Sequence, residues 1–220
     1  MSVNSTFMKL TEISLHFDDS QTLPPEVATL LLDADSLLQR FWDDWYNRPI
    51  EQYVACDFPY VWHALQATLA LQDSNQRSFI EWGCGFGVVT ALAWLAGLPA
   101  VGVEAEPFLV EEAKKLLKRH SITAEIWHGN FLPKGAETIA DCQSDYASLF
   151  HRVPPAYSEH DCELSDFGIV FAYPWPGEDH FLREVFRRYA AENALLLMFR
   201  GPYQIELFRK GTSASRGGLY

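Results

Sequence analysis

The sequence predicts an α/β protein: a three-layer α-β-α sandwich around a mostly parallel sheet of six or seven strands, preceded by a two-helix N-terminal extension. Three observations carry that prediction. From Ser78 onward short apolar runs alternate with amphipathic stretches, the pattern of β-α-β units. One such run, Phe79-Ile80-Glu81, passes into glycines at alternate positions and then into a helical pattern. Ahead of it, two stretches carry apolar residues at three- and four-residue spacing. At 220 residues the chain suits one core plus an extension, given about 150 residues per domain. The expected division is an extension over 1–75 and a ligand-binding domain over 76–220 with an insertion at 131–165.

The first helix opens at Pro24-Pro25-Glu26, with proline in a first turn, and its apolar face runs from Val27 through Leu30, Leu31, Ala34, Leu37, Leu38 and Phe41 to Trp45. Asp57 reads as the N-cap of the second, whose apolar face holds Phe58, Val61, Trp62, Leu65 and Leu69. Strands are expected at 78–81, 100–103, 124–127, 167–172 and 194–199, with a further one at 204–209. Helices are expected between them at 88–96, 107–119 and 180–190. The stretch 131–165 is too long for a plain connection and holds Val153-Pro154-Pro155, so a lid, an inserted helix or both are expected there. The last ten residues read as a frayed tail.

Composition narrows the function. Hydrophobic residues at 48% and charged residues at 21% exclude a disordered or fibrous chain, and an aromatic content of 14% implies a bulky core or ring-lined pockets. The net charge of −12 argues against a broad nucleic-acid footprint. Residues 1–57 hold 10 acids against 3 bases, an acidic cap. The four cysteines show no metal spacing and the N-terminus no signal-peptide pattern, which leads us to expect a cytoplasmic protein with reduced thiols and no metal. The longest apolar run is broken by Gly97 and Pro99 and is shorter than the roughly 20 residues of a membrane span.

The chemistry is concentrated in Glu81-Trp82-Gly83-Cys84-Gly85-Phe86-Gly87. Glycines at a strand-to-helix turn let the backbone bend sharply and approach a ligand, and the helix that follows offers free N–H groups. A nucleotide-type ligand is the natural reading. The dinucleotide fingerprint needs glycine at its sixth position, where this chain has Val88. The pattern acid-x-Gly-x-Gly-x-Gly instead resembles motif I of the class I S-adenosylmethionine-dependent methyltransferases, which have a Rossmann-like sheet. The resemblance spans roughly Asp57 to Arg200 and includes three further motifs in order.

Val101-Gly102-Val103-Glu104 is similar to that family's second strand ending in an acid. His128-Gly129-Asn130-Phe131 is similar to its adenine-contacting turn, with Asn130 for the commoner Asp. The stretch Ala172-Tyr173-Pro174-Trp175-Pro176 resembles the motif facing the transferable methyl group, with Tyr173 where amine methyltransferases often carry an amide or acid. The resemblance implies S-adenosylmethionine as cofactor, held by Glu81, Gly83, Cys84, Gly85, Gly87, Glu104, Ala105, Asn130 and Phe131. It implies Tyr173 and Trp175 at the reacting centre, where aromatic faces suit a sulfonium or an amine. The acceptor is expected to be a small molecule or a protein side chain.

Other residues have plainer readings. Glu178, Asp179 and His180 are nearby proton-handling candidates that also suit the cap of the following helix. Lys114, Lys115, Lys118 and Arg119 read as a solvated, dipole-complementing face. The aromatics from Trp42 to Tyr46 read as core or inter-helix packing, with a substrate-covering role as the alternative. Two alternatives share part of the pattern: an NAD-linked oxidoreductase, which also uses a glycine turn and an acid at Glu104, and a non-catalytic cofactor-binding module that Tyr173 keeps open.

Overall fold

A computed structural model describes residues 8–44, 53–72, 76–140 and 153–212. In chain order the strands are β1 (Met8–Ile13), β2 (Phe79–Trp82), β3 (Ala100–Glu104), β4 (Glu125–His128), β5 (Ile169–Ala172), β6 (Leu195–Gly201) and β7 (Gln204–Thr212). The helices are α1 (Pro25–Asp43), α2 (Phe58–Ala70), α3 (Val88–Leu95), α4 (Pro107–Arg119), α5 (Glu137–Ala140) and α6 (Asp179–Tyr189). The strands form one seven-stranded sheet in the order β1-β7-β6-β5-β2-β3-β4. β2 to β6 are parallel neighbours, and β7 runs antiparallel to both β6 and β1. The three-layer α/β architecture with a mostly parallel sheet expected from the sequence is what the chain adopts.

Strand alternation builds the layers. Phe79, Ile169, Phe171, Leu195, Leu197 and Phe199 face α1 to α4. Their neighbours Ile80, Val170, Ala172, Leu196 and Met198 face the opposite way, against α6 and the stretch around Tyr157. Burying these side chains contributes roughly 1.5–3 kcal/mol each. α1 begins on Pro25, carries Glu26 in its first turn and Arg40 in its last, and buries Val27, Leu30, Ala34 and Phe41. α2 is capped by Asp57, whose carboxylate accepts from the Tyr60 N–H at 3.1 Å. Both helices share one apolar cluster with α3, so the extension is part of the layer covering that face of the sheet.

β1 was not foreseen in the sequence, where Met8-Lys-Leu-Thr-Glu-Ile13 is short and half polar. It forms because β7 leaves an edge on which all six of its residues find backbone partners. Residues 211–212, expected in a frayed tail, extend β7, and the remainder of that tail lies outside the described residues. In the 131–165 stretch the described parts hold α5 and two 3-10 turns, Ala156–Glu159 and Leu164–Asp166. No helix among the described residues is long and apolar enough to cross a membrane.

This strand order places the site. From β2 the chain moves outward through β3 to β4, then returns to β5 on the other side of β2 and moves outward the opposite way. The two connections leave the carboxyl ends of β2 and β5 in opposite directions, and a crevice opens between them.

Candidate active site

The turn after β2 lines that crevice. Gly83, Gly85 and Gly87 have φ of 69°, 54° and 72°, a left-handed backbone that disfavours any side chain. A Cβ at Gly83 would meet nothing within 4 Å, so this backbone stands open to a ligand. At Gly85 a Cβ would lie 2.5 Å from the Tyr53 ring, which packs down onto the turn. Gly87 instead serves packing: its Cβ would press on Ala113 and Ile126 at 3.1 and 3.2 Å.

Two buried glutamates brace the turn. Glu104, at the end of β3, accepts from the Gly85 N–H at 2.8 Å and from the Glu106 N–H at 2.9 Å, one bond to each oxygen. Its carboxylate therefore ties the ends of β2 and β3 together at the crevice wall. Glu81 lies in β2 on the α3 side, where its Oε2 accepts from the Thr90 N–H at 2.7 Å and the Thr90 hydroxyl at 2.5 Å. Its Oε1 has no hydrogen-bond partner among the described residues. Burial pushes its carboxyl up to about 8, against the two Thr90 bonds that favour the ion, and nearby Glu104 adds to the rise.

Above the turn lies a cavity of about 690 Å³, the size of a small-ligand pocket. Its lining is acidic and aromatic. Glu81, Glu104, Glu106 and Glu178 line it, with eight aromatic rings, and no Lys, Arg or His does so among the described residues. One wall comes from Tyr53 to Cys56, in a non-helical strap leading into α2, and from Phe58, the first residue of that helix. Tyr53 packs edge-on against Phe86 at 4.9 Å and Phe41 at 5.6 Å, so α1, the strap and the glycine turn meet in one ring cluster. Burial first, then Cys56 and the two glutamates, raise the Tyr53 hydroxyl well above its ordinary value. The Cys56 and Cys84 thiols, both on the cavity wall, are likewise raised by burial and by Glu81.

The sequence reading missed the strap and Glu106. The strap reaches the site through packing with α1 and carries no motif; its one local sign was aperiodicity just before the Asp57 cap. Of the residues the sequence singled out, Glu81, Gly83, Cys84, Gly85, Glu104, Phe131, Tyr173 and Trp175 converge on this cavity. Gly87, Ala105 and Asn130 do not line it. Ala105 offers its carbonyl to His128 Nε2 at 3.1 Å. Asn130 holds the turn after β4: its side-chain oxygen accepts from the Leu132 N–H at 2.9 Å, and its backbone pairs with Pro154 and Ala156. That turn presents Phe131, which stacks on Trp82 at 5.4 Å, while the Trp82 indole donates to the Tyr157 hydroxyl at 3.0 Å.

After β5, Tyr173 stands edge-on to Phe199 at 4.9 Å, and Trp175 is 37% exposed at the cavity rim. Glu178 precedes α6, is 4% exposed, and accepts from the Trp175 N–H at 3.1 Å through Oε2. Asp179 is engaged elsewhere, paired with Arg183 at 2.7 Å and Arg200 at 3.1 Å, and His180 is exposed. The Trp42 to Tyr46 aromatics are described only in part: Trp42 is 44% exposed beside Phe41, while Trp45 and Tyr46 lie outside the described residues.

No family model and no curated protein matches this sequence. Among solved structures, the chain is similar to an RNA methyltransferase from Salinibacter ruber in complex with S-adenosyl-L-homocysteine. Identity there is 17% over 76% of this chain and 99% of that one, with a TM-score of 0.49. An O-methyltransferase from Bacillus cereus in complex with the same compound gives 14% identity, 81% and 67% coverage and a TM-score of 0.47. A methyltransferase from Geobacter sulfurreducens gives 17%, 86% and 92%, and 0.46. At these identities the function has to be read from the chain's own site.

Proposed function

We propose that the protein transfers a methyl group from S-adenosylmethionine to a small molecule or a protein side chain. The observation that carries this reading is the cavity's charge: four carboxylates and no base among its described lining residues, over a glycine turn with open backbone at Gly83. Such a wall favours a ligand bearing positive charge and hydroxyl donors. It disfavours the pyrophosphate of a nicotinamide dinucleotide, which would face those carboxylates.

When bound, the cofactor supplies a methyl group already activated on a sulfonium. The residues present suit it. Glu104 is placed to accept from ribose hydroxyls, and Glu81 can answer an ammonium with its unbonded Oε1. Gly83, Cys84 and Gly85 offer backbone, and Phe131 a flat face for the base. Asn130, Gly87 and Ala105 act on this reading through the turns they shape. Tyr173 and Trp175 present aromatic faces that attract a cation, worth about 0.5–2 kcal/mol depending on desolvation. The chain's task is then to align the acceptor, exclude water and take up any proton released.

Thermal unfolding with S-adenosylhomocysteine and, separately, with NADH tests the reading. Ligand at one hundred times its dissociation constant stabilises the native state by about 2.7 kcal/mol. An upward shift with the homocysteine compound and none with NADH is expected. A shift with NADH alone would reverse the assignment.

A further inference from the structure

The strap brings the Tyr53 hydroxyl to the glycine turn. Tyr53 lines the cavity together with Glu81, Gly83, Gly85 and Glu104. Its ring lies on the turn itself: a Cβ at Gly85 would stand 2.5 Å from the ring's Cε2 and 3.7 Å from Cζ, the carbon that carries the hydroxyl. The charges of Glu81 and Glu104 both act on that hydroxyl, so it stands within reach of the two carboxylates at once. The ring is fixed before any ligand arrives, edge-on to Phe86 at 4.9 Å and to Phe41 at 5.6 Å. A donor held in this way has little rotamer freedom left to lose on binding.

We infer that Tyr53 is a cofactor-positioning residue, its hydroxyl donating a hydrogen bond to the carboxylate of the methionine arm of S-adenosylmethionine; the inference rests on the methyl-transfer reading above. In that reading the arm's ammonium faces Glu81. The arm's carboxylate is bonded to the same carbon as the ammonium, which sets it close to Glu81 and Glu104. An anion there is repelled by both side chains unless a donor meets it. The Tyr53 hydroxyl is such a donor, and it keeps its proton: burial first, then Cys56, Glu81 and Glu104, raise it well above its ordinary value. Being neutral, it can meet the carboxylate without pairing with Glu81 in the ammonium's place, as a lysine there would. Glu81 then takes the positive group of the arm and Tyr53 the negative one, which orients the arm and the sulfur attached to it.

The probes for the test are S-adenosylhomocysteine and decarboxylated S-adenosylhomocysteine, which keeps the ammonium and lacks the carboxylate. Calorimetric titration of the wild type is expected to show S-adenosylhomocysteine binding the more tightly, by at least about tenfold. Carboxylates on the wall acting alone would favour the decarboxylated compound, the more cationic of the two, so a wild type that prefers it overturns the assignment. This comparison needs no variant to fold. Tyr53→Phe keeps the ring against Phe41, Phe86 and Gly85 and is expected to melt as the wild type does. Its affinity for S-adenosylhomocysteine is expected to fall about 10- to 100-fold, the range for a hydrogen bond to a charged group, while that for the decarboxylated compound stays within about threefold. An equal loss for both ligands would give the hydroxyl to another part of the cofactor, and no loss for either would remove it from binding; each overturns the inference. A wild type that gives no heat with either ligand removes instead the methyl-transfer reading on which it rests.

Discussion

Glu81 concentrates the electrostatics of the site in one side chain. Its carboxyl is raised from 4.5 to about 8, so between those values the unfolded chain releases a proton that the native state keeps. Native stability therefore falls as pH rises through that window, by up to about 1.4 kcal/mol per unit. Denaturant titrations at pH 5.5 and 7.5 should show that loss, and Glu81→Gln should flatten it; an unchanged slope in the variant would place the effect elsewhere. A ligand ammonium at Glu81 draws out the ionised form, so the affinity for S-adenosylhomocysteine should increase from pH 6 to 8. Glu104 acts through geometry. Glu104→Gln weakens charge-assisted bonds worth about 2 kcal/mol, and calorimetry is expected to show roughly 30-fold weaker binding with the fold intact by circular dichroism. These residues were legible in the sequence because a strand-to-helix turn open to a ligand requires glycine, and a strand-end acid next to it needs no distant partner. Asn130 is readable both as an adenine contact and as a turn residue, because Asn suits either; its side-chain oxygen accepts from Leu132 and so holds the turn.

Among the elements, the strap from Tyr53 to Asp57 depends on α1. Phe41, 6% exposed, stacks with Phe108 at 6.3 Å and meets Phe86 edge-on at 5.3 Å, holding α1 over the turn that Tyr53 covers. Phe41→Ala is expected to cost about 3–5 kcal/mol and, unlike truncation of a buried residue of the opposite face such as Phe186, to weaken S-adenosylhomocysteine binding as well. Equal binding in both variants would mean that the helix covers the sheet without shaping the site. Helices and parallel strands could be read from period alone, within one or two residues at their ends. The strap and β1 could not, because both are specified by partners distant in sequence. Removing residues 1–13 should uncover the β7 edge, lower the melting temperature by several degrees for each 1 kcal/mol lost, and promote self-association visible by light scattering. A truncated chain that melts unchanged and stays monodisperse would show that β1 contributes nothing to the sheet's stability.

At the scale of the whole molecule, the strand order and the charge distribution converge on one crevice. The switch between β2 and β5 brings glutamates from two strands and the approach to α6 around a wall that holds no described base. The sequence's net charge of −12 argues against a polyanionic partner, but only the fold shows that carboxylates gather at the glycine turn. Crystals soaked with S-adenosylhomocysteine examine this most directly. The account expects density over Gly83 and Gly85, with the ribose hydroxyls within hydrogen-bond distance of Glu104 and the amino group facing Glu81. A crevice that stays empty at saturating ligand, or in which the Tyr53 and Phe131 side chains fill the space, would contradict it.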